Sequence, residues 1–410
     1  MIGHPLLGAA AVSAREGTAA RWPLYRWFVS AASLSVPQAA GPVAFSLLAL
    51  SVTGDTRGGA AMILAMTLSQ VAGAIPITRM GNRLPPARLL RWLVVLRTLA
   101  LMSIVLLAAC GASFAWLIAC ATVAGSVNGA AHGCLRSVLN HLVPASGLPR
   151  ALGISATLNE TTFVLAPVAA SGLGAISPLL GILVIAALGA APAFCVPHVD
   201  AVPAEEVGRS DTSVLSPSIL LWLACATAGG AVVAAIEIGA VALALDYGYE
   251  PTLAILFTVP LCLASVTGGV WVSVRNRMAA RGTVVGYLSV MALGSGLAAL
   301  GLSVASTVAG AILIGFVLAP LGTHYSLVLD GLAPAGRRAE VFALLRTANA
   351  VGVICASAIL TALSLSSTLT IVTGLMVAAA STVAFAHLRG SKRLSSPSAT
   401  QTRDPSLSSP

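Results

Sequence analysis

Long stretches without a single charged residue constrain this chain more than any other feature. Four of them, at 27–54, 58–78, 251–274 and 347–388, contain no Asp, Glu, Lys or Arg. Each is long enough for one or two helices of about 20 residues, the length that crosses the hydrocarbon core of a bilayer. Only 9% of the chain is charged, against about 25% in soluble domains. Since helices satisfy their own backbone in lipid, the chain is predicted to be an all-α integral membrane protein.

Apolar runs separated by breakers and polar residues predict twelve transmembrane helices. They lie at about 27–50, 60–77, 90–110, 114–137, 151–174, 178–197, 217–245, 251–273, 283–304, 307–329, 341–363 and 368–388. A polar linker at 198–216 separates a six-helix bundle at 27–197 from a second one at 217–388. A tail at 1–26 precedes the bundles, and a tail at 389–410, rich in Ser, Pro and Thr, is expected to be disordered.

The basic residues sort to one side of this topology. All but two of the 22 Lys and Arg residues fall on the side that carries both termini; Arg57 lies opposite and Arg97 lies inside the third span. Positively charged loops are retained in the cytoplasm. The sequence therefore predicts a multi-pass protein of a cytoplasmic membrane, with both termini and the linker in the cytoplasm. The same sorting accounts for the net charge of +9 without nucleic-acid binding.

The two predicted bundles are similar in sequence. Pro144 and Pro334 each precede a span, and Asn159 and Asn349 follow them at the same offset. Two parallel six-helix repeats are typical of transporters that bind substrate near the membrane midplane, between the repeats. An enzyme fits this organisation poorly, because no catalytic or ATP-binding motif is present. A channel or a receptor also fits it poorly, because two six-helix repeats predict alternating access. The seven cysteines lie in apolar stretches without a C-x-x-C pair, so we predict no cofactor and no metal site.

The loop after the second span carries a further signal. It reads Ile77-Thr78-Arg79-Met80-Gly81-Asn82-Arg83, and it resembles the Gly-x-x-x-Asp-Arg-x-Gly-Arg-Arg loop of the major facilitator superfamily. Arg79, Gly81 and Arg83 match that motif, whereas Thr78 replaces its aspartate. The resemblance implies that the loop helps to close a cytoplasmic gate, together with Arg275 and Arg277 in the corresponding loop of the second half. A plain basic loop that only sets orientation is the alternative.

Two further segments resemble bacterial drug and metabolite exporters of that superfamily. They are 142–172, LVPASGLPRALGISATLNETTFVLAPVAASG, and 319–340, APLGTHYSLVLDGLAPAGRRAE. In the first, Ala166-Pro167 stands where the exporters have Gly-Pro. The resemblance implies proton-coupled export of a small organic compound by alternating access. An uptake permease for a sugar, an organic anion or a siderophore-like solute is the alternative.

Ionisable groups inside spans are costly and therefore indicate function. Glu160 in the fifth span is predicted to lie at the depth of Asn128, His132 and Arg136, which follow one another at spacing four on the fourth span. Such a cluster can exchange a proton as a cavity opens and closes; a static salt bridge is the alternative.

Other candidates for the substrate or proton pathway stand alone in their spans. Glu237 lies in the seventh span without a basic neighbour in sequence, and His324 stands opposite His132 by the repeat. Asn159 and Asn349 are candidates for contact with substrate or across the half interface. Arg97 is expected to be structural. The predicted partners are a small-molecule substrate, protons and the lipid bilayer, and we expect a monomer.

Overall fold

The structure, a computed structural model, describes residues 6–54, 57–81, 84–197, 214–334 and 336–394. These ranges form α-helices and short 3₁₀ turns, without a β-strand. The helices are α1 (Leu6–Thr53), α2 (Arg57–Met80), α3 (Pro86–Ala109), α4 (Phe114–Ser126), α5 (Asn128–Leu142), α6 (Leu148–Ile176), α7 (Pro178–Cys195), α8 (Pro217–Asp246), α9 (Ile255–Arg275), α10 (Arg281–Leu300), α11 (Val304–Leu332), α12 (Arg338–Ala362) and α13 (Leu365–Leu394).

Eleven helical stretches are long and apolar enough to cross a membrane, with α4 and α5 together forming one of them. The chain is therefore a multi-pass membrane protein. The long helix outside this set is α6, which has 29 residues. Its Arg150, Asn159 and Glu160, along with several threonines and serines, lower its hydropathy below that of the other helices.

Two predicted boundaries differ from the structure. The first helix begins at Leu6, well before the expected start at about residue 27, although its membrane-length part is Trp22–Thr53. The last helix continues to Leu394, so residues 389–394 of the expected disordered tail are helical. The remainder of that tail and nearly all of the predicted linker at 198–216 lie outside the described residues.

The predicted fourth span consists of two segments that meet at Val127. The break lies where α2 and α4 approach each other backbone to backbone: Gly73 faces the backbone of Ser126, and Gly125 faces the carbonyl of Met66. Neither glycine has room for a side chain, which is the usual condition for close helix contact in membranes.

The helices form two groups with separate apolar cores. One core is built from residues of α8–α13, centred on side chains such as Phe257 and Leu321, together with Val214 just before α8. Two smaller clusters fill α1–α7, around Leu90 and around Leu48. The groups meet where α6 contacts α9 and α11, and where α12 contacts α2 and α5.

Arg97 is structural, as predicted, because α1, α5 and α7 enclose it within the first group. Its side chain is 1% exposed. One terminal nitrogen donates to the Leu34 carbonyl at 2.8 Å and to Asn128 Oδ1 at 3.1 Å, and the other donates to the Gly189 carbonyl at 2.7 Å. A planar guanidinium is suited to serving three acceptors in different directions.

Arg97→Lys is expected to destabilise the protein by about 1–3 kcal/mol, because an ammonium keeps the buried charge but cannot reach all three acceptors. Thermal unfolding of the detergent-purified protein measures this. Arg88→Lys on the exposed face of the same helix is the matched control and should be neutral. Equal unfolding temperatures for the two variants would contradict the structural role.

Candidate functional site

A cavity of about 420 Å³ lies between the two helix groups. Its wall comes from α1, α5 and α6 on one side and from α8, α10, α11 and α12 on the other. The polar and charged lining residues are Ser35, His132, Arg136, Ser155, Asn159, Glu160, Glu237, Thr323, Tyr325, Ser326, Arg346 and Asn349. Trp27, Phe163, Met291 and Phe342 contribute apolar surface. The cavity therefore offers an amphipathic compound both charged and aromatic contacts.

Toward one end of the bundle, an ion pair and hydrogen bonds join the two helix groups beside the cavity. We call this the basic end; it carries the end of α2, the turns at 143–147 and 276–280, and the start of α12. Lining residues farther from it, such as Phe163, Glu237 and Val353, are exposed. The cavity is thus accessible from the opposite end.

Two carboxylates face the cavity from different helix groups. Glu160 comes from α6 and Glu237 from α8, and both line the same cavity. Among the described residues, neither has an ion-pair partner within 4 Å. The alternative in which Glu160 belongs to a fixed salt bridge therefore has no contact to support it here.

Arg346 is a cavity residue that sequence reasoning missed, since it was counted among the basic residues predicted to face the cytoplasm. It lies about two turns inside α12, and its terminal nitrogen donates to Gln38 Oε1 of α1 at 2.6 Å. Its Nε is buried without a hydrogen-bond partner. Arg346, Glu160 and His132 line the same cavity. A constellation of two acids, one arginine and one histidine thus spans the boundary between the groups.

Arg136 forms the floor of the cavity toward the basic end. Its Nε donates to Ser326 Oγ at 2.6 Å, its Nη1 donates to Asn140 Oδ1 at 2.5 Å, and its guanidinium lies 4.5 Å from the Phe342 ring centroid. Asn140 in turn donates to Asp330 Oδ1 at 2.6 Å. Arg136 and Ser326 are 190 residues apart, and so are Asn140 and Asp330. This is the offset of the sequence repeat, and it could have identified both pairs from the sequence.

His132 lines the cavity as predicted, one helical turn before Arg136. Its Nδ1 is 2.9 Å from the carbonyl oxygen of Asn128, and its Nε2 is buried without a partner. Asn128 itself does not line the cavity. It is fully buried at the start of α5, where its amide nitrogen donates to Gln38 and Gln70 and its oxygen accepts from Arg97. The spacing of four places Asn128, His132 and Arg136 on one face of the helix. Asn128 does not reach the cavity, because α1, α2 and α3 enclose it.

His324 does not line the central cavity either. It is 3% exposed and packs edge-on against Trp222, with ring centroids 5.1 Å apart. The reason is helical geometry. His324 lies 192 residues after His132, two more than the 190-residue offset of the repeat. Two extra residues rotate a side chain by about 200° around the helix axis, so that His324 faces away from the cavity. Gly322, at the true offset of 190, is the residue that lines the cavity.

Asn159 and Asn349 both line the cavity. Asn159 Oδ1 accepts from Ser35 Oγ of α1 at 2.9 Å, so this bond lies within the first group and does not cross to the second. The backbone of Asn349 packs against Gly230 of α8, which has no room for a side chain.

The residues predicted to form the gate separate into two sets. Arg79 Nε lies 2.9 Å from Glu340 Oε1, across the boundary between the groups. Glu340 stands in the first turn of α12, is 4% exposed, and also pairs with Arg337 at 2.8 Å. Glu340 therefore supplies, from the other helix group, the acid that the loop motif lacks at Thr78. The buried hydroxyl of Thr78 donates to the Ala74 carbonyl. Sequence reasoning missed Glu340.

The other members of the predicted gate make different contacts. Gly81 is buried against Leu89 without room for a side chain. Arg83 lies outside the described residues. Arg275 and Arg277 line a separate, smaller cleft in the second group. Within the described part of the chain, neither pairs with an acid of the first group.

A polytopic helical bundle with a polar cavity between two helix groups defines a membrane transporter. Comparison with known proteins agrees: the profile of the Major Facilitator Superfamily matches residues 27–357. The chain therefore belongs to the Major Facilitator Superfamily, whose members carry small molecules across membranes, and it is a transporter and not an enzyme. Among curated proteins none matches the chain.

Solved structures share this fold. A bacterial homologue of the iron transporter ferroportin in an outward-facing state with soaked iron has a TM-score of 0.72 at 16% identity, over 90% of this chain and 99% of the other. The human organic anion transporter MFSD10 has a TM-score of 0.68 at 15% identity, over 89% and 99% of the two chains. At these identities the likeness concerns the fold alone.

We expect Glu340→Gln to favour opening of the basic end, because it leaves Arg79 and Arg337 without their shared carboxylate. The loss is about 1.5 kcal/mol, since Arg79 is half-exposed, which is roughly a tenfold change in the open-to-closed ratio. Spin labels at Ala145 and Leu332 report the distance between the groups by electron-electron double resonance. Asp246→Asn at the opposite end is the matched control. An unchanged distance distribution in Glu340→Gln would show that the pair does not hold this end closed.

Proposed function

We propose that the protein is a proton-coupled transporter that exports a small organic compound by alternating access. The observation that carries this proposal is the placement of Glu160 and Glu237 on one cavity, from different helix groups and with no ion-pair partner within 4 Å in the described part of the chain. Ionisable groups at such a position mark proton and substrate pathways. The aromatic and methionine side chains in the same wall suit an organic compound.

The proposed cycle alternates between two closures. In the present conformation the basic end is closed by Arg79, Glu340, Arg136 and Asp330 with their partners. When Glu160 is protonated, it carries no negative charge to attract Arg346, and Arg346 keeps its hydrogen bond to Gln38. An unprotonated Glu160 attracts Arg346 across the cavity. Protonation and cavity shape would thereby be linked through a buried guanidinium with a spare donor.

The proposed topology has twelve spans in two parallel six-helix repeats, at 27–197 and 217–388. In this arrangement α6 is the fifth span along the chain and brings the number of spans to twelve. It has the required length and packs against α1, α9 and α11. We further propose that the basic end faces the cytoplasm of a bacterial inner membrane and that the protein works as a monomer.

An uptake permease for an organic anion is the second candidate. Arg346 and His132 favour it, because both present buried nitrogen atoms without hydrogen-bond partners beside the cavity. The likeness to an organic anion transporter is one of fold only. The direction of proton-driven flux separates the two functions.

The topology predicts that Glu205→Cys, in a background lacking the seven natural cysteines, is labelled by an impermeant maleimide only after the cells are permeabilised. Arg57→Cys, on the opposite side, should be labelled in intact cells and is the control. Labelling of position 205 from outside would overturn the orientation.

Glu160→Gln tests proton coupling. The growth of cells overexpressing the protein on a panel of toxic dyes and antibiotics first identifies compounds that it exports. In proteoliposomes, the variant is expected to lose transport of such a compound driven by a pH gradient but to keep exchange at equilibrium, because glutamine cannot release a proton. Asp246→Asn is the matched control and should behave as the wild type.

Undiminished gradient-driven transport by a folded Glu160→Gln variant would rule out Glu160 as the coupling group. Glu237→Gln would then be the next variant to measure. If the compound accumulates inside cells instead of leaving them, the uptake permease becomes the better description.

A further inference from the structure

A second cleft lies at the basic end, within the helix group α8–α13 and apart from the central cavity. Its volume is about 210 Å³. The end of α9, the turn at 276–280, the start of α10 and the middle of α11 form its wall. Its polar lining residues are Arg275, Arg277, Thr283, Tyr287, Thr323 and His324.

Two arginines reach this cleft without a carboxylate partner. Among the described residues, no acid lies within 4 Å of Arg275 or Arg277. The guanidinium of Arg275 lies 5.1 Å from the ring centroid of Trp271, and Trp271 packs edge-on against Tyr287. The aromatic pair thus restricts the direction in which Arg275 points.

The N-terminus of α10 opens into the same cleft. Its cap residue, Ala280, has an extended backbone and no side-chain acceptor. The first hydrogen bond of this helix runs from the Val284 N–H to the Ala280 carbonyl, so the N–H groups of residues 281–283 point outward without an intrahelical partner. Thr283 adds a hydroxyl beside them. Such a terminus attracts anions.

Thr323 provides an independent observation. Its side chain lies in the wall that the cleft shares with the central cavity and is 6% exposed, yet among the described residues its hydroxyl has no hydrogen-bond partner. A buried hydroxyl without a partner is costly. A ligand with several acceptor oxygens in the cleft would supply one.

The turn that carries the arginines has a fixed shape. Asn276 adopts a left-handed conformation with φ of 44°, which asparagine tolerates better than most residues. Its side-chain oxygen accepts the backbone N–H of Arg150 in α6 at 3.0 Å. The turn is therefore held from the other helix group, and the cleft is organised before any ligand arrives.

We propose that this cleft binds a phosphate group, through Arg275, Arg277, Thr283 and the free N–H groups of α10. Phosphate oxygens match the fork of an arginine and the N-terminus of a helix simultaneously. The group could belong to an anionic lipid headgroup or to a free phosphate, because the cleft lies at the end of the spans. A basic loop that only sets orientation needs positive charge, but it needs neither a cavity nor an uncapped helix.

Binding of radiolabelled dioctanoyl phosphatidylglycerol and of radiolabelled inorganic phosphate to the detergent-purified full-length protein tests this site. Arg275→Gln with Arg277→Gln is expected to lower the affinity at least about tenfold, since charge-assisted hydrogen bonds are lost. The matched control is Arg88→Gln with Arg150→Gln. It removes the same charge from exposed side chains at the same end and should leave the affinity within about twofold.

Ala280→Asp is a second variant that does not threaten the fold. A carboxylate at this cap position satisfies the free N–H groups and repels an anion, so binding should fall while α10 is stabilised. Phosphatidylglycerol binding without phosphate binding assigns the site to lipid, and comparable binding of both assigns it to a free phosphate. Equal loss in the control double variant, binding that survives in Arg275→Gln with Arg277→Gln, or no binding of either probe would overturn the proposal.

Discussion

Polar groups in the interior of this bundle have to find their partners within the protein, because hydrocarbon offers none. For Arg97 and Asn128, the chain meets this constraint with one continuous network. Arg97 binds Asn128, Asn128 binds Gln38, and Gln38 accepts from Arg346 of the other helix group. The network therefore runs from the core of the first group to the cavity wall of the second. A movement of the groups against each other has to break or exchange its last bond.

The two helix groups contact each other at two places of the basic end, and the two contacts differ in kind. On one side Arg79 of α2 meets Glu340 of α12 through opposite charges. At the equivalent place on the other side, α9 meets α6 through the backbone N–H of Arg150 and the amide oxygen of Asn276. Arg150 occupies the position that corresponds to Glu340 at the 190-residue offset. One contact responds to charge and salt, and the other depends only on geometry.

Sequence reasoning predicted the helical membrane fold, the family and six of the twelve polar residues that line the cavity, because apolar runs and buried charges are local signals. It assigned His324 and Asn128 to the substrate or proton pathway, whereas neither lines the central cavity, since the face that a helical residue occupies depends on rotation and on which neighbours enclose it. It missed Arg346 and Glu340 because their partners, Gln38 and Arg79, lie far away in sequence. Only packing brings such pairs together.

The polarity of α6 has a consequence for biogenesis. A helix that carries Glu160, Asn159 and Arg150 gains too little from lipid to leave the insertion machinery by itself. Its partner α1, whose Ser35 binds Asn159, is synthesised earlier, whereas α9 and α11 are synthesised later. During synthesis α6 is therefore expected to pack against α1 first, at the edge of an incomplete bundle. The face that carries Glu160 gains its remaining neighbours only when the second half of the chain has been made.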